Sequence, residues 1–304
     1  MRKNIYISLY SLGIILSLIS CKKNSAVADL TQKINTGSGV FTFTYSDLPE
    51  KPINVYYHVP NGLKENMPIV LVFHGDERNA VDYREIWINA ANQYGFMVFA
   101  PEFTELQFPG ASAYHIGNVY QDGNYPTSTT LNNENVWTFS MIEPLFDYIK
   151  NQTKSNQLTY NMFGHSAGGQ FVHRFVMLKP SARIKKAVAA NSGWFTVADG
   201  VANFPYGILN CPIQSTNPAL YFSKNLIISV GGLDNSATDA SLRHNTQSDL
   251  QGLNRLQRAN YFYTKSLAYA NKTNIPFNWQ YHLVPNSGHD PILMSNDAVD
   301  LLFK

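Results

Sequence analysis

The stretch LTYNMFGHSAGG, at residues 158–169, decides the fold. Its apolar first half predicts a buried strand over 158–163, and the residues that follow predict a helix over 166–178. Between them, Ser166 has glycine two positions before it, at Gly164, and two positions after it, at Gly168. A strand-to-helix turn this tight holds a serine in a strained, exposed conformation, and the glycines keep neighbouring Cβ atoms out of the way. The stretch therefore predicts an accessible serine nucleophile at position 166.

Strands and helices alternate on both sides of this turn. Strands are predicted over 40–45, 53–59, 69–73, 96–100, 158–163, 186–190, 226–230 and 277–284, and helices over 135–150, 166–178, 253–270 and 297–303. Continuous apolar runs such as IVLVF at 69–73 indicate strands that are buried on both faces, as in a parallel sheet. We expect an α/β fold with a mostly parallel central sheet, helices on both faces and an N-terminal antiparallel hairpin.

The segment 102–133 does not fit this alternation. It is rich in Tyr, Asn, Gly, Pro and Thr. Connections of this length are usually functional or disordered, and its aromatic side chains predict an ordered loop near a site.

Composition limits the partners. The 304 residues are 44% hydrophobic and 14% charged, with a net charge of +2, which excludes a disordered chain. No basic run stands out beyond the first residues, so nucleic acid is not an expected partner. A neutral partner suits this composition better.

The N-terminus has the layout of a signal peptide. A basic start at 1–3 precedes an almost charge-free apolar run at 5–19 that ends near Cys21 and is too short to span a membrane. Residues 18–21 (LISC) resemble a bacterial lipobox. This resemblance implies that a signal peptide at 1–20 is removed and that Cys21 carries a lipid, which would hold an exported protein on a membrane facing the periplasm or the cell surface.

Polar residues dominate the segment that follows Cys21. We expect a flexible tether over 21–38 and a catalytic domain over 39–304. Cys211 is then left without a partner, so no intramolecular disulfide is possible, and we expect it to be a small buried hydrophobic residue.

A serine hydroxyl becomes a good nucleophile only when a base removes its proton, and the base needs a carboxylate to orient it. His289 lies on the loop after the last predicted strand and is the candidate base. Asp234 lies just past the strand at 226–230 and is the candidate acid. Asp239 is the nearest alternative acid, and Asp199 would require a displaced acid.

The other histidines have weaker claims as the base. His282 lies within a predicted strand and His244 within a polar loop, whereas His74, His165 and His173 are expected to be structural.

Backbone N–H groups are the expected donors to a tetrahedral oxyanion, because they are fixed in place before the reaction. We predict one donor at Ala167, directly after the serine and at a helix N-terminus. The loop after the His74-Gly75 pair should supply the second, at Asp76.

With these residues assigned, the chain resembles an α/β-hydrolase, and more narrowly the secreted esterases grouped with poly(3-hydroxybutyrate) depolymerases and feruloyl esterases. The features that carry the resemblance are VFHG at 72–75 with Asn79-Ala80, the GHSAGG turn, AANSG at 189–193, Gly232 to Asp234, and Gly288-His289. Members of the narrower group often have a cysteine after the His-Gly pair and disulfides around the site. This chain has Asp76 there and no partner cysteines.

The resemblance also implies a substrate pocket next to the loop after the strand at 186–190, where Trp194 and Phe195 lie. Tyr114, His115, Tyr120 and Tyr125 of the long segment would complete an aromatic wall for a sugar or phenolic ring. The alternative is that these side chains belong to the core or to the ordinary surface.

The sequence thus predicts hydrolysis of carboxylic esters, either feruloyl or acetyl esters of carbohydrates or hydroxyalkanoate esters, with neither metal nor organic cofactor. A serine peptidase or acyltransferase with the same fold is one alternative. A surface glycan-binding lipoprotein without turnover is the alternative of another class.

Overall fold

The computed structural model describes residues 33–304. Within them, one eight-stranded sheet has the order β1-β2-β4-β3-β5-β6-β7-β8. The strands are β1 (Gly37–Phe43), β2 (Ile53–Val59), β3 (Ile69–Phe73), β4 (Met97–Pro101), β5 (Tyr160–His165), β6 (Ile184–Ala190), β7 (Leu226–Gly231) and β8 (Gln280–Val284). The longer helices are α1 (Ala80–Tyr94), α2 (Ile142–Thr153), α3 (Ala167–Leu178), α4 (Arg255–Lys272) and α5 (Pro291–Phe303).

The sheet is parallel from β4 to β8 and antiparallel at its N-terminal edge. β1 pairs with β2 as a hairpin, and β2 runs antiparallel to β4. The remaining neighbours, from β4 through β3 to β8, are parallel. The predicted α/β architecture and its N-terminal hairpin are therefore confirmed.

Alternate residues of the central strands enter two separate cores. Leu71 and Phe73 of β3 join the larger core, which also contains residues of α2, α3 and α4. Val70 and Val72 point the other way and join a smaller core with residues of α1 and α5. Both faces of β3 are thus covered, as its uninterrupted apolar sequence predicted.

The folded domain begins earlier in the chain than predicted. Ile34 is only 1% exposed and belongs to the larger core, and β1 starts at Gly37 rather than at position 40. Residues 34–38 therefore belong to the domain and not to the predicted tether. The predicted signal peptide and the lipidation of Cys21 lie outside the described residues.

Cys211 is only partly buried, and its thiol donates to the Ile208 carbonyl at 3.3 Å. Desolvation raises the pKa of this thiol to about 11.

Two helix starts differ from the sequence prediction because of local stereochemistry. Short 3-10 turns occupy 134–136 and 138–141, and the α-helix begins only at Ile142. Pro144 fits a first helical turn, but it would disrupt the interior of a helix that began at 135. Helix α5 starts at Pro291 rather than at 297, because the Asp290 carboxylate accepts from the N–H groups of Ile292 and Leu293.

No sequence prediction covered helix α1. Its buried positions Ala80, Tyr83, Trp87 and Ala91 recur at three- and four-residue spacing, and Gly95 ends it in a left-handed conformation. Among residues 33–304, no helix is both long enough and apolar enough to cross a membrane.

Candidate active site

Ser166 lies at the sharp turn between β5 and α3. Its backbone has φ 57° and ψ −116°, a strained conformation for a residue with a Cβ atom. A Cβ atom at Gly164 would lie 2.2 Å from the Gly168 carbonyl oxygen, and one at Gly168 would lie 2.1 Å from the Phe73 carbonyl oxygen. The two glycines are therefore required by the close packing of the turn against itself and against β3.

Asp234 and His289 meet at the carboxyl ends of β7 and β8. The Nδ1 atom of His289 lies 2.7 Å from Asp234 Oδ2, and the aspartate is only 5% exposed. His289 also approaches the serine turn, because its ring centroid lies 4.6 Å from that of His165. The structure thus brings the candidate base and acid together beside the residue that precedes Ser166.

Asn191, which follows β6, connects these loops. Its side-chain NH₂ donates to the Gly288 carbonyl at 2.9 Å, and its side-chain oxygen accepts from the Gly231 N–H at 2.8 Å. The loop of His289 and the end of β7 are therefore fastened to the same buried amide. Asn191 lies in the AANSG motif at 189–193, and its position directly after a predicted buried strand is the signal in the sequence that could have indicated this contact.

Both predicted oxyanion donors border one cavity with Ser166. We call it the catalytic cavity. It has a volume of about 690 Å³, and Asp76, Ser166 and Ala167 line it. Ala167 is the first residue of α3, where a backbone N–H has no acceptor within the helix. The loop after β3 also passes close to the serine, since a Cβ atom at Gly75 would lie 3.7 Å from Ser166 Cβ.

His74 is a buried connector. Its Nδ1 lies 2.8 Å from the Gly75 carbonyl oxygen, and its Nε2 accepts from the Phe103 N–H at 3.0 Å. Both ring nitrogens are thus occupied in the neutral form, and desolvation lowers the pKa of this histidine to about 3. These contacts leave no nitrogen free for proton transfer.

Two other histidines, His165 and His173, are held in similar ways. His165 Nδ1 lies 3.0 Å from the Tyr83 hydroxyl, and His173 Nε2 accepts from the Thr196 N–H. Desolvation lowers the pKa of both rings well below the ordinary range. His244 instead pairs with Asp249.

The alternative acids are occupied elsewhere. Asp239 lies 2.5 Å from Arg255 and also accepts from Ser241. Asp199 accepts from the Val201 N–H and lines a different cavity. Of the three carboxylates that the sequence offered, Asp234 is the one in contact with His289.

The predicted aromatic wall is mostly absent from the catalytic cavity. Trp194 and His115 line it, but Phe195 lies in the core, stacked on Phe262 at 4.5 Å. Tyr120 borders a separate cavity of about 930 Å³, and Tyr125 is 80% exposed. Tyr114 is fully buried and stacks on His74.

Charged side chains occupy much of the wall in place of aromatics. They are Asp76, Glu77, Arg78, Glu105, Arg243 and Arg255. The guanidinium of Arg243 lies 4.7 Å from the centre of the Trp194 ring, and that of the fully buried Arg174 lies 4.0 Å from it. Within residues 33–304, neither of these two arginines forms an ion pair with a carboxylate. No periodic pattern in the sequence predicts this cluster.

No group of three or more His, Cys, Asp or Glu residues that could hold a metal ion occurs among residues 33–304.

Solved structures share this architecture. Poly(aspartic acid) hydrolase-1 from Sphingomonas sp. KT-1 is 34% identical, with 89% of this chain and 100% of that chain covered and a TM-score of 0.82. The chain belongs to the α/β-hydrolase family.

A second relative of this α/β-hydrolase is LpqC, a poly(3-hydroxybutyrate) depolymerase from Bordetella parapertussis, at 28% identity with 88% of this chain and 90% of that chain covered and a TM-score of 0.81. Acetyl xylan esterase from Aspergillus awamori, at 15% identity, 88% and 100% coverage and a TM-score of 0.52, shares the fold. No protein-family model matches the chain. No curated protein matches it either.

Proposed function

We propose that this α/β-hydrolase is a serine hydrolase that cleaves carboxylic esters through an acyl-enzyme. The hydrogen bond between His289 and the buried carboxylate of Asp234, beside the strained turn of Ser166, is the observation that carries the proposal. Such a pairing holds the imidazole in one tautomer and leaves Nε2 available as a base.

In the first half-reaction, Ser166 Oγ attacks the ester carbonyl while His289 Nε2 accepts the hydroxyl proton. The bond from carbon to the leaving oxygen then breaks, and the leaving alcohol receives that proton from His289. In the second half, water repeats the attack with the same base, which releases the acid and restores Ser166. The N–H groups of Asp76 and Ala167 stabilise the oxyanion in both halves.

Replacement of the nucleophile tests the proposal directly. We expect Ser166→Ala to lower kcat on p-nitrophenyl acetate or butyrate by about 10⁴-fold or more, because no other group can form the acyl-enzyme. Ser181→Ala, an exposed serine remote from the turn, is the matched control and should retain wild-type turnover. Activity that survives in Ser166→Ala would refute the assignment.

A non-catalytic glycan-binding protein is the contrasting possibility. A fluorophosphonate should label the wild-type protein and not Ser166→Ala, because labelling requires an activated serine. A wild-type protein that resists labelling would favour the binding role.

A second candidate function is cleavage of amide bonds in an acidic polymer. It is favoured by the two arginines at Trp194 that lack carboxylate partners, Arg243 in the cavity wall and Arg174 behind it. A carboxylate of such a polymer would pair with Arg243, the one of the two that lines the cavity, and the Sphingomonas relative is a hydrolase of poly(aspartic acid).

A substrate comparison separates the two candidates. If the second one holds, the wild-type protein should release new amino groups from poly(aspartic acid), and Arg243→Gln should slow that reaction by about tenfold while p-nitrophenyl butyrate turnover stays nearly constant. Equal losses on both substrates would exclude a role for Arg243 in charge recognition.

We also propose that a lipid on Cys21 holds the enzyme on a bacterial membrane. Labelled palmitate should enter the wild-type chain and not Cys21→Ala, with Cys211→Ala as the control. Palmitate incorporation into Cys21→Ala would exclude this residue as the site.

A further inference from the structure

Asp234, the acid of the proposed triad of Ser166, His289 and Asp234, has a second side-chain partner that no sequence motif predicted. Arg255, the first residue of α4, is 2% exposed, and its Nη1 lies 3.3 Å from Asp234 Oδ1, the oxygen that His289 does not use. The adjacent backbone reinforces this contact, because the Leu256 N–H donates to the Asp234 carbonyl at 3.2 Å. Asp234 is therefore held by His289 on one oxygen and by α4 on the other.

The same guanidinium reaches the wall of the catalytic cavity. Its Nη1 also donates to Asp239 Oδ2 at 2.5 Å, and its Nη2 donates to Ser241 Oγ at 2.9 Å. Asp239 in turn accepts from the N–H and the hydroxyl of Ser241. Ala240, Ser241 and Arg243 line the cavity. One buried side chain thus links the candidate acid to the segment 239–243, which forms part of the cavity wall.

Burial of the charged Arg255 guanidinium destabilises the fold unless nearby carboxylates balance its charge. An isolated guanidinium in such a position would be strongly destabilising, whereas the two carboxylates around it balance its charge. Although burial alone would raise the pKa of Asp239, its hydrogen bonds with Arg255 and Ser241 lower that pKa well below the ordinary range. Asp239 therefore stays ionised as a counter-ion of Arg255, and Asp234 Oδ2 remains paired with His289.

We propose that Arg255 is the positioning residue for Asp234, and that its bridge to Asp239 fixes the triad carboxylate relative to the 239–243 wall of the cavity. This inference rests on the proposed serine hydrolase function. Arg255 orients Asp234 and balances its charge without itself taking part in proton transfer.

The charge of Arg255 should be visible in the titration of His289. The groups around this imidazole are Asp234, the neutral His165, Asp290, whose carboxylate caps α5, and the Arg255–Asp239 pair. Removal of the guanidinium takes away a positive charge and leaves Asp239 negative, so the imidazolium becomes more stable. The acidic limb of kcat/KM should therefore move to higher pH in Arg255→Gln, and to lower pH by a smaller amount in Asp239→Asn.

Kinetics against pH with p-nitrophenyl butyrate test the proposal. We expect Arg255→Gln to lower kcat by about 10- to 100-fold and to move the acidic limb of kcat/KM to higher pH. Arg255→Lys keeps the charge but not the fork that spans two carboxylates, so kcat should fall while the limb stays near its wild-type position. In Arg255→Gln/Asp239→Asn the limb should return toward wild type while kcat remains low.

The matched control is Arg183→Gln, which removes an arginine that pairs with Glu143 and Asp147 next to the start of β6, at the opposite end of the sheet from the serine turn. It should leave the pH profile unchanged. A purely structural Arg255 would lower the folded fraction without moving the limb, and a profile of Arg255→Gln that superimposes on the wild type overturns the proposal. If Arg255→Gln fails to fold, two other variants still test the proposal. In Arg255→Lys, kcat should fall while the acidic limb stays in place, and in Asp239→Asn the limb should move to lower pH.

An NMR titration of ¹⁵N-labelled His289, assigned with His289→Gln, detects the same electrostatic effect of Arg255 without turnover. Inactive wild-type protein in the ester assay would therefore count against the proposed function alone. An unchanged His289 pKa in Arg255→Gln would count against the positioning role alone.

Discussion

The loops at the carboxyl edge of the sheet and the long segment at 102–133 both border the catalytic cavity, but they are ordered by different means. The edge loops carry Ser166, Asp234 and His289, and they follow the parallel strands β5, β7 and β8. The long segment is held by packing and by side-chain contacts. Arg78 donates to the Phe103 and Gly110 carbonyls and pairs with Glu105.

The difference shows where sequence position alone predicts a location in the fold. Residues directly after neighbouring parallel strands must emerge at the same edge of the sheet, so their spacing along the chain hardly matters. In the long segment, Tyr114 packs inside whereas Tyr125 is exposed, although both are tyrosines in the same stretch. Such an outcome depends on three-dimensional packing rather than on chain order.

The largest expected effect on kcat comes from the loops at the carboxyl edge of the sheet, where Asp234 and Asp239 are the two candidate acids. Asp234→Asn should lower kcat by about 10⁴-fold, because an amide at that position favours the wrong tautomer of His289. Asp239→Asn should change kcat by less than about tenfold, since it touches Arg255 and not the imidazole. Steady-state kinetics on p-nitrophenyl butyrate measure both, and a larger loss in Asp239→Asn would transfer the role of the acid to Asp239.

Most of the fold could be predicted because the buried strands are continuous apolar runs in the sequence. Strands β2 and β3 have the predicted bounds, and the glycines of the serine turn are explained by contacts of about 2 Å that a Cβ would make. Helix α1 had a local signal, since its buried positions recur at helical spacing, whereas the early start of β1 depends on the tertiary packing of Ile34 in the larger core, which no local pattern reveals.

The candidate site was predictable at the candidate nucleophile, base and acid, and less so at the residues around them. Arg255, Arg243 and Asn191 act through contacts between segments 21 to 119 residues apart in sequence. A charged or amide side chain in a polar loop looks the same whether it faces solvent or a buried carboxylate. Only the assembled sheet distinguishes the two.

His74 joins the two regions and should make their connection sensitive to pH. Its pKa is lowered by burial from 6.5 to about 3, so the unfolded chain binds a proton below pH 6.5 that the folded chain does not. The free energy of unfolding should therefore fall as pH drops through this interval, by about 2 kcal/mol at pH 5 for this histidine.

Urea unfolding of the wild type and His74→Gln at pH 7 and pH 5 isolates that contribution. The variant loses contacts to Gly75 and Phe103 and should be less stable at pH 7, but its stability should depend less on pH by about 2 kcal/mol. The same pH dependence in both proteins would contradict a neutral, buried His74.

A smaller effect is expected at Asn191. Its replacement by Ala removes the hydrogen bond to the Gly288 carbonyl, so the loop of His289 loses an anchor, and kcat should fall about tenfold. Asn225→Ala is the matched control, since Asn225 also donates to a backbone carbonyl, that of Lys185, but at the opposite end of the sheet. Equal effects of the two variants on kcat would mean that Asn191 supports stability alone.

The smallest effect should come from Tyr125 in the long segment, and its size depends on the length of the substrate. Tyr125 lies outside the catalytic cavity but lines an adjoining one of about 610 Å³, and Arg243 borders both. Tyr125→Ala should therefore change kcat/KM for p-nitrophenyl butyrate by less than about twofold, as for an ordinary surface substitution. A polymeric substrate that passes Arg243 would reach this cavity, so a selective rise in KM for the polymer would show that the long segment binds substrate away from the scissile bond. An equal loss on the small ester would instead place Tyr125 in the catalytic cavity and remove the distinction between the two regions.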